Sequence, residues 1–296
     1  MKWLARLFSP RPPQQAQAAP TVSVPPPQEA QVAEVALLPW LLDCPPLAAG
    51  DLAAPEQRAL GALDRTLALP ALNDELLPRA AALIPQLLAM LRQADLPVRA
   101  LADRIAKDVV LAAEVLRLAS SPYYRAQGDV TDLTQAIALI GERGLQTVIA
   151  RVVLKPMYEP PAGTLAARVA PRLWEHAQAL AAQCAATAGA AGESPFDGYL
   201  AGLLYDTGWT VLLRVLERET ISVALPPTAA FGAAIEDRSH RLFGLAAQRW
   251  NITPGFSAFV AEARTRPLAD CRHALAVALG HAMPLALADV APAAQG

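Results

Sequence analysis

From residue 51 onward, apolar positions recur at helical spacing and polar residues fall where helices begin and end. Leu60, Leu63 and Leu67 stand at i, i+3 and i+7 and make one apolar face. A second helix is predicted over 73–92, with Asn73 as its cap and Asp74 and Glu75 in the first turn, where the helix dipole favours negative charge. Pro78 and Pro85 strain that reading and allow two short helices instead. Leu101 and Ile105 share a face. Asp108 then opens a helix over 109–121, with Val110, Leu111, Val115 and Leu118 expected inward and Pro122 as its stop. Asp132 and Gln135 have capping-box spacing ahead of an apolar stripe of Leu133, Ile137 and Ile140. Gly141 ends that helix, and 143–154 forms the next.

The second half reads the same way. Helices are expected over 173–188 (stopped by Gly189), 196–206, 209–217, 236–250, 254–264 and 272–282. In the helix over 236–250, Leu242, Leu245, Ala246 and Arg249 are successive face residues, with His240 near the start. No run alternates with the period of a strand, so the fold class is all-α. Ahead of this, 9–46 is rich in Pro, Gln and Ala and reads as a polyproline-like or disordered tether. It follows a basic amphipathic start at 1–8 that is too short for a signal peptide's apolar core. An apolar island over 35–42 interrupts it, and docking on the domain behind is favoured over binding a partner. The organisation is thus a Pro-rich tail over 1–48 and a helical domain over 49–289. That domain has a front part at about 50–155 and a back part at about 160–289, and a frayed tail follows at 290–296.

Composition narrows the function. Of 296 residues, 54 % are hydrophobic but only 5 % aromatic, a mixture that favours closely packed helices over sheet. A net charge of −2 argues against a nucleic-acid binder. The helix-turn-helix look of 132–154 offers a groove only Arg143, Gln146, Thr147 and Arg151. Cys44, Cys184 and Cys271 lie far apart without C-x-x-C spacing, as in reduced thiols of a cytoplasmic protein. No apolar run reaches the roughly 18–20 residues that span a bilayer.

The stretch with chemical content is Leu200-Ala201-Gly202-Leu203-Leu204-Tyr205-Asp206-Thr207-Gly208, an apolar helix that ends on a carboxylate. A buried carboxylate must be paired, hydrated or bound to metal. A metal phosphohydrolase on a helical scaffold needs several His and Asp side chains converging from different helices. Among the four histidines (His176, His240, His273 and His281), His176 and His240 are candidates to meet Asp206. Tyr205, beside the acid, is a poor ligand at neutral pH. Two other readings stand. Asp206 could simply cap the helix opening at Trp209. Arg238, Arg241 and Arg249 could draw an anion into a non-catalytic pocket.

The order of motifs resembles the HDOD family, the output-domain relatives of HD phosphohydrolases. The front half is similar in Leu101-Ala102-Asp103-Arg104-Ile105-Ala106-Lys107-Asp108, in Leu116-Arg117-Leu118-Ala119-Ser120-Ser121-Pro122-Tyr123-Tyr124 and in Val130 to Gly141. The back half matches a Trp-x-His with Trp174-Glu175-His176 and a Gly-Leu-Leu-His-Asp-x-Gly with Gly202-Leu203-Leu204-Tyr205-Asp206-Thr207-Gly208. A later Glu and His-x-x-x-Gly correspond to Glu236 and His240 to Gly244, with Trp250 following. The resemblance covers roughly 75–265. It implies a multi-helix bundle and a bacterial signalling module that binds a protein partner, in cyclic-dinucleotide or two-component regulation. Tyr205 in place of His, and Ala261-Glu262-Ala263-Arg264 where HD relatives often carry His-His, leave His176, Asp206 and His240 as vestiges of a ligand set. No catalytic residue and no cofactor is therefore expected. A divalent metal enters only under the alternative of a metal-dependent phosphohydrolase, and a DNA-binding regulator is the second alternative.

Overall fold

Helix after helix in this protein starts at a small polar residue whose side chain closes on the backbone about a turn ahead. Asp108, Asp132, Thr164, Ser194, Thr228 and Thr253 all cap in this way, each device contributing about 1 kcal/mol. The computed structural model describes residues 36–77, 79–91, 97–121, 124, 130 and 132–291. Its helices are α1 (Leu37–Leu42), α2 (Ala54–Leu67), α3 (Ala80–Leu91), α4 (Val98–Ile105), α5 (Val109–Ala119) and α6 (Leu133–Leu154). They continue as α7 (Leu165–Ala190), α8 (Pro195–Tyr205), α9 (Thr207–Arg218), α10 (Ala229–Ala247), α11 (Pro254–Ala263) and α12 (Ala274–Val290). Among the described residues the single β-type pairing is an isolated bridge between Ala48 and Thr228. The expected tether up to residue 35, Pro78, Arg92, the stop at Pro122 and residues 292–296 fall outside the described residues.

In the front part, α3, α4 and α5 pack on α6. Gly141 breaks α6 with φ 66°, a left-handed value that glycine adopts freely, and so divides the stripe ending at Ile140 from the run to Leu154. In the back part, α7 lies antiparallel to α8 and also packs on α12, while α9 packs on α10. Helix α2 covers α9 and α10.

The α7–α8 seam is close because Gly198 and Gly202 face it. A Cβ at Gly202 would fall 2.6 Å from the backbone of Ala181. Gly202→Ala is therefore expected to destabilise by about 1–3 kcal/mol, read as a lower urea midpoint with an unchanged slope.

Several expectations need correction. Residues 37–42, counted with the tail, form α1; they dock on the domain as expected, with Leu37, Leu38 and Leu41 buried in its core. The folded part thus begins ahead of residue 49. It is tied down by Ala48, whose backbone exchanges hydrogen bonds with Pro227 and Ala229. The buried Glu56 carboxylate reinforces this by accepting from the backbone N–H groups of Ala53 and Thr228 and from the Thr228 hydroxyl. Helix α7 starts at Leu165 rather than 173, and α12 runs to Val290 rather than 282. Each contains a proline, Pro171 or Pro284, that loses one backbone bond, and the packing of the two helices on each other outweighs that loss. Val110 is 62 % exposed: Leu111, Val115 and Ala119 form the inward row of α5, and Val110 lies one step of rotation away. The expected helix over 73–92 is two pieces, a short 3-10 turn at Asp74–Leu76 capped by Asn73 and then α3 with Pro85 inside.

Candidate functional site

Helices α8 and α9 are separated by one residue, Asp206. The tight junction is possible because α9 enters against α10 through Gly208, where any Cβ would land on the carbonyl oxygen of Ser239. This contact brings the end of α8 next to the middle of α10 and gives Tyr205 and His240 a common neighbourhood. His176 comes from the centre of α7, held to α8 by the glycine seam. All four positions singled out in the sequence are buried, with Asp206 fully enclosed.

They do not form one cluster. They form two pairs. Asp206 Oδ2 lies 2.7 Å from His176 Nδ1, while Tyr205 Oη lies 3.2 Å from His240 Nδ1. The reading of Asp206 as a cap for the next helix is thereby corrected. Its side chain makes no capping bond to α9, because the buried imidazole is the stronger partner for a buried carboxylate. Burial alone would lower the His176 pKa, but the adjacent Asp206 charge and its hydrogen bond raise it overall.

His240 behaves in the opposite way. Burial takes its pKa down to about 4, so the ring is neutral at pH 7. Its other nitrogen, Nε2, faces Cys271 Sγ at 3.8 Å, and the backbone of Arg266 also hydrogen-bonds the ring. The Tyr205 hydroxyl and Nδ1 share one hydrogen bond, and in a neutral ring the tautomer decides which of the two donates. The Tyr205 ring is fixed against Phe243, with centroids 5.5 Å apart.

Three neighbours carried no sequence signal as site residues. Trp40 of α1 packs over His176, ring centroids 6.3 Å apart, although the two are far apart in the chain. Tyr158 donates to the carbonyl of Leu203 at 2.6 Å and packs at a tilt against Trp174, which fixes the last turns of α8. Cys184 lies in the field of Asp206, and burial together with that charge pushes its thiol up to about 12.

The remaining candidates lie elsewhere. His273 caps α12, accepting from the Leu275 N–H, and His281 is exposed. Arg238 is spent on a two-pronged pair with Asp64 that ties α10 to α2, so it is not free to draw an anion. Arg249 is exposed on the groove beside Trp250. Of the residues offered for a DNA groove, Arg151 pairs with Glu114 and Gln146 hydrogen-bonds Glu142 within the helix.

Do these residues fit a divalent metal? The inner faces of His176 and Asp206 are turned on each other, and Tyr205 and His240 are likewise paired. Among the described residues no three His, Cys, Asp or Glu side chains converge as a ligand group. Burial and the Asp206 charge hold the Tyr205 phenol far above the range in which it would ionise. Asp206 Oδ1 is buried without a partner, but one oxygen is not a coordination sphere. Among the described residues these donors stand as two hydrogen-bonded pairs, and no group of three points to one centre.

Comparison with known proteins bears on the scaffold. No curated protein matches the chain. Among solved structures, a protein of Shewanella amazonensis SB2B named "Putative metal-dependent phosphohydrolase" is similar, with a TM-score of 0.55 at 14 % identity. That match covers 79 % of this chain and 83 % of that one. An "HDOD domain protein with unknown function" from Geobacter sulfurreducens aligns over 77 % of this chain and 78 % of that one, at 21 % identity with a TM-score of 0.47. At these identities the likeness concerns the fold alone. The HDOD domain family model matches residues 77–265, a span that contains α3 through α11 and both buried pairs. This chain belongs to the HDOD domain family.

Proposed function

We propose that this protein is a regulatory module that acts by binding a protein partner and does not hydrolyse phosphate esters. The observation that supports this reading is the 2.7 Å pairing of His176 with Asp206 in a site with no solvent access. Phosphoester hydrolysis on such a scaffold would need open coordination positions and an activated water. Here the two best ligands are spent on each other, Trp40 packs against the imidazole, and Tyr205, where the resembled motif has a histidine, hydrogen-bonds His240. The role is structural, and function passes to the surface. In this reading the module works in bacterial signal transduction, in the cytoplasm, with cyclic-dinucleotide or two-component pathways as the setting for its partner. Among the described residues no helix is long and apolar enough to cross a membrane.

The competing reading, a metal-dependent phosphohydrolase, is favoured by one observation, the unpartnered Asp206 Oδ1. One experiment separates the two. The purified full chain is exposed to manganese, iron and zinc, its metal content is measured, and hydrolysis of bis(p-nitrophenyl) phosphate is followed. The expected result is no stoichiometric metal and no hydrolysis above that of Asp206→Ala. A tightly held ion lost in that variant, with turnover that follows it, would establish the enzyme instead.

A further inference from the structure

Beneath α1 lies a cavity of about 230 Å³. Its walls come from four helices drawn from three separate stretches of the chain: Leu38 and Leu41 of α1, Val169 of α7, Leu212 and Leu216 of α9, and Phe231 of α10. An apolar void forfeits the dispersion contacts that its lining atoms would otherwise make. The lining is mostly aliphatic or aromatic; its charged and hydroxyl members are Arg168 and Ser222, exposed at the rim, and the half-buried Glu217. This is the make-up of a small-molecule site: an apolar body with a few polar groups that fix one end of the ligand.

The rim indicates which end. Glu217 is already engaged, its Oε1 accepting the Ala166 backbone N–H at 2.8 Å in the first turn of α7, where the helix dipole takes up its negative charge. One turn beyond Arg168, Arg172 is paired with Asp43 at 2.8 Å. Arg168 has no such ion pair among the described residues and lies exposed at the mouth. The uncommitted charge at the opening is therefore positive, and a guanidinium binds a carboxylate with two parallel hydrogen bonds. The volume corresponds to roughly eight non-hydrogen atoms, at about the 30 Å³ that a water occupies in the liquid.

We propose that this cavity binds a medium-chain carboxylic acid, with the chain between α1, α7, α9 and α10 and the carboxylate on Arg168. One wall is α1, which precedes the family-matched span of 77–265, so the site is built jointly by that span and the segment ahead of it. The proposal stands whether or not the paired histidine site is catalytic.

The test is a calorimetric titration of the full chain with octanoate, 1-octanol and octylamine, which share one apolar body and differ in the head group. The expected result is one saturable site for octanoate, bound about tenfold more tightly than octanol. In Arg168→Gln, an exposed substitution that leaves the packing untouched, octanoate falls to the affinity of octanol. Val169→Phe, which fills the void, abolishes binding of both. No saturable octanoate binding overturns the proposal, as does equal affinity for acid and alcohol in the unaltered protein. Tightest binding of octylamine also overturns it, since that would put the head group on Glu217.

Discussion

Asp206→Ala should lower the free energy of unfolding by about 3–5 kcal/mol, the cost of breaking a buried charge pair by removing one partner. Asp206 is fully enclosed and His176 is 1 % exposed, so the imidazole loses its partner inside the protein and not at a solvated surface. The effect should depend on pH in a definite sense. The pKa of His176 is raised in the folded protein: burial lowers it, and the Asp206 charge and hydrogen bond together more than offset that effect. The imidazole therefore holds its proton more tightly folded than unfolded. The stability gained is complete below the unfolded value of about 6.5 and is lost as the pH rises through the folded value. Urea unfolding of the two proteins at pH 6 and pH 8 would show the wider gap at pH 6. A loss below 1 kcal/mol, or a gap that grows with pH, would count against the pairing as the source of the effect.

His240 gives the second large effect, with the opposite sign and in a different window. Its folded pKa is about 4, set chiefly by burial; Asp237 and the Arg266 backbone oppose the shift and Arg241 adds to it. The unfolded chain binds this proton near pH 6.5 and the folded protein resists it down to about 4. Stability is thus full above 6.5 and is lost as the pH falls, by about 3 kcal/mol at the lower end. In His240→Gln, which cannot take up the proton, the curve of stability against pH should be flatter by that amount between pH 6.5 and 4. Parallel curves for variant and parent would sink the assignment. Because the His176 effect unfolds above pH 6.5 and the His240 effect below it, the two can be measured in one protein without interference.

Much of this arrangement could be read from the amino-acid order, for physical reasons that differ from part to part. The caps at Asp108 and Asp132 and the apolar stripes through Ile137 and Leu242 are local, so helices emerge from short windows of sequence. Asp206, His176 and His240 were recognisable because charged or titratable groups on apolar helices demand partners. Which partner each takes was not recognisable. A carboxylate before Thr-Gly satisfies itself equally well as a cap or as a mate for a distant imidazole, and only the close α7–α8 seam decides for His176. Pro171 and Pro284 look like helix ends from their immediate neighbours, yet long-range packing of α7 on α12 carries the helices through them. The seat of Trp40 on His176 has no local signature, since nothing in the order of residues near either one refers to the other.

That seat also bears on where this protein can be cut. The family match spans 77–265, but α1, α2 and α12 lie outside it. A fragment trimmed to that span would expose one face of His176 and lose the Glu56 carboxylate that anchors the start of α10. It would also uncover the side of α7 on which α12 lies. The smallest piece that keeps its own interior closed is longer than the family's footprint, and a shorter one would display as surface what the whole chain keeps as core.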